Sequence, residues 1–220
     1  MKAALKVAFA RVAPEQTLYL RAYRLLLLNQ KSYLHQTGWL RSLADGRPVD
    51  RLGGELPWMN YAVVRLLQDR LSSDLDLFEY GSGSSTAFFA KLVRRVTSVE
   101  HDQSWVERVR PMLPANAELV FTPVDVDGGY CRAVHATGRR HDVIVVDGRD
   151  RVNCLRQSAS AVSERGVILL DDSHRESYGD GVAFLHERGF RSLRVEGLKP
   201  TGTDVDCTTV FYRDGNCLNL

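Results

Sequence analysis

The four cysteines, Cys131, Cys154, Cys207 and Cys217, are scattered through 220 residues, and no two of them form a Cys-x-x-Cys pair. With no His-x-x-x-His beside them, a structural zinc site is excluded as the organising element. Isolated thiols of this kind read as buried side chains of a reducing compartment. An excess of one charge is also missing. Lys and Arg number 29 against 27 Asp and Glu, a net +2, which removes the electrostatic case for nucleic acid as the main partner. Long apolar runs are absent too: Arg11, Glu15, Arg21 and Arg24 interrupt the Leu-rich start, and Leu25 to Leu28 is far shorter than the roughly 20 residues that cross a bilayer. Neither a signal peptide nor a transmembrane segment is expected, and the expected location is cytoplasmic.

What is present is an ordinary globular composition, 44% hydrophobic and 25% charged, on a chain long enough to fold without a staple. Leu18, Arg21, Leu25 and Leu28 recur at helical spacing. The expectation is an amphipathic helix packed on the domain or on a second copy as a homo-oligomer contact; peripheral contact with a membrane surface is the other use of a basic helix of this kind. Residues 30 to 58 carry turn signals at Asp45-Gly46-Arg47-Pro48, Gly53-Gly54 and Pro57, and read as a connector. The chain is therefore divided into an N-terminal helical extension and connector, 1–58, and a main domain, 59–220.

In the main domain strands and helices alternate. A helix is expected over 61–71 with Asn60 as its cap, then a strand over 75–80 and a helix over 85–95. Further strands are expected at 96–99, 118–122, 142–146 and 167–170, with helices over 104–112 and 152–164, the second stopped by Gly166. A helix over 181–188 precedes two closing strands at 190–195 and 207–212. Val, Ile and Leu runs without alternation are the mark of strands buried on both faces, so the fold class is α/β: a doubly wound, mostly parallel seven-stranded sheet. The last two runs lack a helix between them and are expected to pair with the final strand antiparallel.

The most informative stretch is Phe78-Glu79-Tyr80-Gly81-Ser82-Gly83-Ser84-Ser85-Thr86, where the first strand turns into a helix. Glycines there let the backbone approach a ligand closely, and a helix start offers free N–H groups. At the end of the next strand Glu100 is placed to accept hydrogen bonds from ribose hydroxyls. Together these imply a nucleoside-containing cofactor. A dinucleotide site wants Gly or Ala at the sixth position of the loop, where Thr86 stands. S-adenosylmethionine needs no pyrophosphate glycine, and an acid two residues before the first glycine, here Glu79, suits its ammonium group directly or through water.

These residues resemble the class I S-adenosylmethionine-dependent methyltransferases over roughly Tyr61 to the C-terminus. Glu79-x-Gly81-x-Gly83 looks like the family's first motif, Glu100 its ribose acid, and Val143-Ile144-Val145-Val146-Asp147 its fourth motif. The resemblance implies a Rossmann-like fold and cofactor contacts from Glu79, Tyr80, Gly81, Ser82, Gly83, Ser85, Thr86, Glu100, His101 and Asp147. The family often has glycine at position 85, where this chain has serine. Leu56-Pro57-Trp58-Met59, Val146-Asp147-Gly148-Arg149-Asp150-Arg151 and Cys207-Thr208-Thr209-Val210-Phe211-Tyr212-Arg213 are similar to a bacterial branch of small methyltransferase-like proteins, often encoded near polysaccharide or lipopolysaccharide genes. That likeness implies a small or sugar-containing acceptor.

In an open α/β sheet the ligand lies beyond the carboxyl ends of the strands, where Asp147, Asp171, Asp172 and His174 fall. Methyl transfer to a hydroxyl needs the acceptor held close to the methyl carbon and its proton removed, and Asp147 or His174 is the expected base. Asp147 with Asp171 and Asp172 is also similar to the Mg²⁺ ligands of metal-dependent O-methyltransferases such as catechol O-methyltransferase, which implies a magnesium site on those three carboxylates. Two rival readings use the same residues: an NAD-dependent oxidoreductase, and a non-catalytic nucleoside-binding or scaffold protein of glycan assembly.

Overall fold

The computed structural model describes residues 14–220; the earlier part of the expected N-terminal extension lies outside them. Helix α1 (Pro14–Tyr23) runs into a π-helical turn at Arg24–Leu28. The helix is where it was expected, but it does not lay its leucines on the domain: Leu18, Tyr19, Leu20, Leu25 and Leu28 are all more than half exposed. The reason is visible in their order. Leu18, Tyr19 and Leu20 are consecutive, so the apolar side chains extend around the helix beyond the stripe that the domain alone could bury.

The connector holds two short helices that its turn signals concealed, α2 (Tyr33–Gln36) and α3 (Trp39–Asp45). It packs by specific bonds. Ser42 Oγ donates to Val49 O and accepts from Val49 N, and the indole N–H groups of Trp39 and Trp58 donate to Gly202 O and Pro200 O at 2.8 and 2.9 Å. The N-terminal segment is thereby tied to a loop near the other end of the chain. Helix α4 (Tyr61–Arg70) starts at Asn60, whose Oδ1 accepts from Val63 N at 3.0 Å.

The sheet has seven strands: β1 (Asp76–Tyr80), β2 (Arg95–Glu100), β3 (Ala117–Phe121), β4 (His141–Val146), β5 (Val162–Leu170), β6 (Arg191–Gly197) and β7 (Asp206–Tyr212). Their spatial order is β3-β2-β1-β4-β5-β7-β6. β1 to β5 are parallel, and β7 enters antiparallel between β5 and β6. Helices α5 (Ser84–Ala90), α6 (Gln103–Val109), α7 (Gly129–Ala136), α8 (Arg151–Ala161) and α9 (Gly179–Glu187) cover the two faces together with α4. Strand side chains alternate between two cores. Leu77, Val143, Val145, Val167, Leu169 and Val210 join α4 and α5 on one side, while Phe78, Tyr80, Ile144, Val146, Ile168, Leu170 and Phe211 join α7, α8 and α9 on the other. Because both partners in the alternation are apolar, the strands read in sequence as unbroken hydrophobic runs.

Several boundaries differ from expectation. The helix expected over 85–95 ends at Ala90, because Arg95 already begins β2. The helix expected over 152–164 ends at Ala161, and Gly166 lies inside β5 instead of stopping a helix. A Cβ at Gly166 would stand 2.4 Å from Val162 Cγ2 and 2.9 Å from His141 O, so glycine is there for close strand packing where the β4–β5 register shifts. Helix α7 had no counterpart in the expected order. It buries Tyr130, Cys131 and Val134, and its first N–H groups, of Gly129 and Tyr130, donate to the Asp125 carboxylate. The four thiols are free, three of them fully buried.

Candidate functional site

The loop between β1 and α5 is shaped by glycine where no other residue fits. Gly81 has φ +101°, a backbone conformation that residues with a Cβ rarely adopt, and it lies in van der Waals reach of the Asp147 and Gly148 backbone. Gly148 answers from the other side: its Cβ would lie 2.0 Å from Tyr130 Oη and 3.0 Å from Gly81 N. The ends of β1 and β4 therefore meet backbone to backbone, with Asp147 N donating to Tyr80 O.

Beneath this loop Glu79 is 1% exposed, and its carboxylate accepts from three hydroxyls, those of Ser85, Thr86 and Ser98, the last two at 2.6 and 2.7 Å. Thr86 Oγ1 also accepts from Gly83 N at 3.1 Å, which closes the first turn of α5. Serine at position 85 is thus a loop-building residue, and its hydroxyl serves Glu79 where a glycine could not. Burial outweighs the three donors and pushes the Glu79 carboxyl up to about 7. Glu79 and Thr86 organise the loop from inside. The ring of Tyr80, a residue also expected at the cofactor, lies in the core, where its hydroxyl donates to Cys131 O at 2.6 Å.

Glu100 ends β2 at 5% exposure, held by its own loop: Oε1 accepts from the backbone N–H of His101 and Asp102 at 2.8 and 3.0 Å, and Oε2 from Ser82 Oγ at 3.1 Å. His101 Nδ1 lies 2.6 Å from Oε1 and its ring meets Tyr130 edge-on. Trp105, a residue that sequence reasoning did not single out, donates from its indole to Ser82 O at 2.9 Å and packs on Gly83. A cavity of about 460 Å³ opens here, lined by Ser82 to Ser85, Trp105, Asp147 and the connector residues Arg47, Glu55 and Trp58.

Asp147, Asp171 and Asp172 do gather at the ends of β4 and β5, but each has a partner of its own. Arg151, a tenth exposed, clamps the two strand ends: it donates to Gly148 O, to Asp147 O and Oδ1, and to Asp171 O at 2.6–3.0 Å. Asp171 accepts from Thr208 Oγ1 at 2.6 Å, and burial beside Asp147 raises its pKa well above the carboxylate range. Asp172 meets Arg175 and Lys199; against its burial, the charges of Lys199, Arg151 and Arg175 hold it below its usual range. Burial and the facing carboxylates raise Asp147 to about 6 despite Arg151.

The three carboxylates expected to hold Mg²⁺ are thus each engaged, by arginine, threonine or lysine. Among the described residues the one group of three metal-type side chains with donor atoms within 4.8 Å of one another is Asp172, His174 and Asp206. His174 stands beside Asp206, its Nδ1 3.8 Å from Oδ1, as a member of this second group. Asp206 and Lys199 gave no signal in the sequence, because β7 and the loop before it reach the site only through the antiparallel pairing.

No protein-family profile matches the chain, and no curated protein does. Solved structures do. A methyltransferase-like protein from Silicibacter pomeroyi is 27% identical, with 76% of this chain and 90% of that one covered at a TM-score of 0.55. The precorrin-6y C5,15-methyltransferase of Geobacter metallireducens is 17% identical over 70% and 87% of the two chains, also at 0.55. A Streptococcus mutans protein solved with S-adenosylhomocysteine is 10% identical over 68% and 94%, at 0.52. The chain has the Rossmann-like fold of the class I S-adenosylmethionine-dependent methyltransferases. The antiparallel β7 between β5 and β6 separates it from the all-parallel 3-2-1-4-5-6 order of dinucleotide-binding domains.

Proposed function

We propose that this protein is an S-adenosylmethionine-dependent methyltransferase acting on an oxygen of a small or sugar-containing acceptor. The observation that carries the reading is the pairing of the glycine-shaped β1–α5 loop with a buried Glu100 carboxylate at the end of β2. Glu100 is fixed by two backbone N–H groups and so is aimed before any ligand arrives. The bound cofactor would supply an electrophilic methyl group on a sulfonium. Ser82, Gly83 and Ser85 would line its path and Glu100 would take the ribose hydroxyls, with His101 beside them; Glu79 would act through the loop it braces.

Asp147 is the proposed general base. It lines the cavity next to the glycine loop, and a carboxylate with pKa near 6 accepts a proton more readily at neutral pH than an ordinary one. Residues 1–58 form the proposed extension, and Trp58, Arg47 and Glu55 make the acceptor-side wall. The exposed leucines of α1 support association with another copy, and gel filtration before and after removal of residues 1–30 tests that.

The reading is tested by calorimetric titration with S-adenosylhomocysteine, NAD as the parallel control and Glu100→Ala as the negative. Saturable binding that is lost in the variant and absent for NAD is the expected result. Failure of the folded protein to bind would overturn the cofactor assignment. Asp147→Asn is expected to abolish turnover and spare that binding; equal loss of both would remove Asp147 as the base.

A further inference from the structure

We propose that the cleft between helix α7 and the β2–β3 face of the sheet is a binding site for a small uncharged aromatic alcohol. The cleft has a volume of about 300 Å³, at the lower end of the range for small-molecule sites. It shares no lining residue with the cavity beside the glycine loop, and the proposal does not depend on the methyltransferase reading.

Strand register decides which side chains make its floor. Thr97 lies opposite Phe78 on β1 and Glu118 on β3, and Val99 lies opposite Tyr80 and Val120. Phe78 and Tyr80 point into the core under α7, α8 and α9, so Thr97, Val99, Glu118 and Val120 face the same side. Helix α7 meets that face unevenly. Its larger side chains, Tyr130, Cys131 and Val134, are buried in the core, whereas Gly129, Ala133 and Ala136 line the cleft at i, i+4 and i+7. Those three are too small to reach across to the strands, and Val120 is left 39% exposed on the inner face of the sheet.

Thr97 calls for a partner in this space. It is 3% exposed, and its Oγ1 has no hydrogen-bond partner. A buried hydroxyl without a bond is destabilising and is uncommon in native folds. The hydroxyls nearby are engaged elsewhere. Thr137 Oγ1 donates to Val134 O and meets His141 Nε2, and Ser98, the next residue of β2, faces the other side and donates to Glu79. A ligand hydroxyl in the cleft would serve Thr97 as either donor or acceptor.

The rest of the lining sets the ligand's chemistry. Phe78, Val99, Val120, Ala133 and Ala136 offer an apolar slot between a sheet and a helix, a shape that suits a flat ring. A closed apolar cavity of about 150 Å³ holds benzene, so this cleft has room for two fused rings. Its charged members, Glu118 and Arg139, are both exposed and opposite in sign. No buried counter-charge awaits an ion there, which favours an uncharged ligand.

The test is fluorescence titration of the full chain with 2-naphthol, with naphthalene in parallel. Saturable binding of one equivalent is expected. Thr97→Val keeps the side-chain shape and removes the hydroxyl. It should weaken 2-naphthol about three- to tenfold, the loss of one neutral hydrogen bond, and leave naphthalene unchanged. Ala133→Leu and Ala136→Leu extend the helix into the cleft and should each abolish binding of both probes. Ala136 is exposed at the last position of α7, so its variant carries the test if Ala133→Leu does not fold. The proposal is overturned if the folded wild type shows no saturable binding, if the leucine variants bind as well as wild type, or if Thr97→Val holds 2-naphthol as tightly. Calorimetry with S-adenosylhomocysteine on the same preparations separates the two readings: naphthol binding without it removes only the cofactor assignment, and the reverse removes only the cleft site.

Discussion

Glu79 makes this protein's stability depend on pH in an unusual direction. Its carboxyl rises from 4.5 to about 7 on folding because burial outweighs the hydroxyls of Ser85, Thr86 and Ser98. A group whose folded pKa is raised binds its proton more tightly in the native state. Its contribution is complete below the unfolded value and is lost as pH climbs through the folded one. For a carboxyl moving from 4.5 to about 7 the loss between pH 5 and pH 8 is about 2.5 kcal/mol. Glu79→Gln imitates the protonated acid. Its carbonyl can accept from Thr86 and Ser98 and its amide can donate to Ser85, so the bonds survive while the titration does not. Urea unfolding followed by circular dichroism at pH 5, 6, 7 and 8 measures both proteins. The wild type should lose about 2.5 kcal/mol more than the variant across that range, roughly 1 M in midpoint for a urea slope of about 2 kcal/mol/M. Subtracting the variant removes the parallel effect of Asp147, which titrates near 6. Parallel curves for the two proteins would refute the reasoning, because the Glu79 proton would then be no more tightly held in the fold than outside it.

Arg151→Met should cost about 3–5 kcal/mol, because it leaves the Asp147 carboxylate and three carbonyls at the strand ends without their donor. At about 2–4 °C per kcal/mol for a chain of this size, calorimetry should record a fall in Tm of roughly 6–20 °C, and a loss under about 1 kcal/mol would contradict the clamp. Gly148→Ala drives a methyl group into Tyr130 Oη and the Gly81 amide, and should cost about 1–3 kcal/mol in urea unfolding. S-adenosylhomocysteine affinity should drop with it by about tenfold, and unchanged stability and affinity would mean the two loops do not meet as described.

The half of the site built on β1, α5 and β2 was legible because each of its parts is local. A short apolar run, two glycines and an acid at the next strand end lie within a single strand–helix–strand unit, and their order fixes their placement. Ser85 was legible as a departure but not as a solution: its bond to Glu79 depends on the side-chain direction at the first turn of α5, which spacing does not give. The start of β5 was hidden for a different reason. Ser163, Glu164 and Arg165 are polar and read as the end of a helix, yet the strand is held there by tertiary contacts, Ser163 Oγ donating to Asp142 Oδ1 at 2.8 Å and Cys217 N to Arg165 O at 2.7 Å. Helix α1 shows the converse: its helical spacing is legible, but spacing does not say which surface takes its leucines, and the domain leaves Leu18, Leu25 and Leu28 more than half exposed.

The charges at the ends of β4, β5 and β7 bind the far parts of the chain into one electrostatic unit. Asp147, Asp171, Asp172 and Asp206 face Arg151, Arg175 and Lys199, and the cation nearest Asp206 is Lys199, 27 residues beyond Asp172. Lys199 sits on the loop between β6 and β7, and that loop is anchored by Trp39 and Trp58 through Gly202 and Pro200. A shift of the connector therefore moves Lys199 relative to two carboxylates. Since the ammonium offsets part of the carboxylates' repulsion, the position of Lys199 bears on how strongly Asp147 holds its proton. The wall supplied by residues 47–58 and the acidity of the strand ends are thus coupled through two indole hydrogen bonds and one lysine, a linkage that runs against chain order and follows only from where β7 inserts in the sheet.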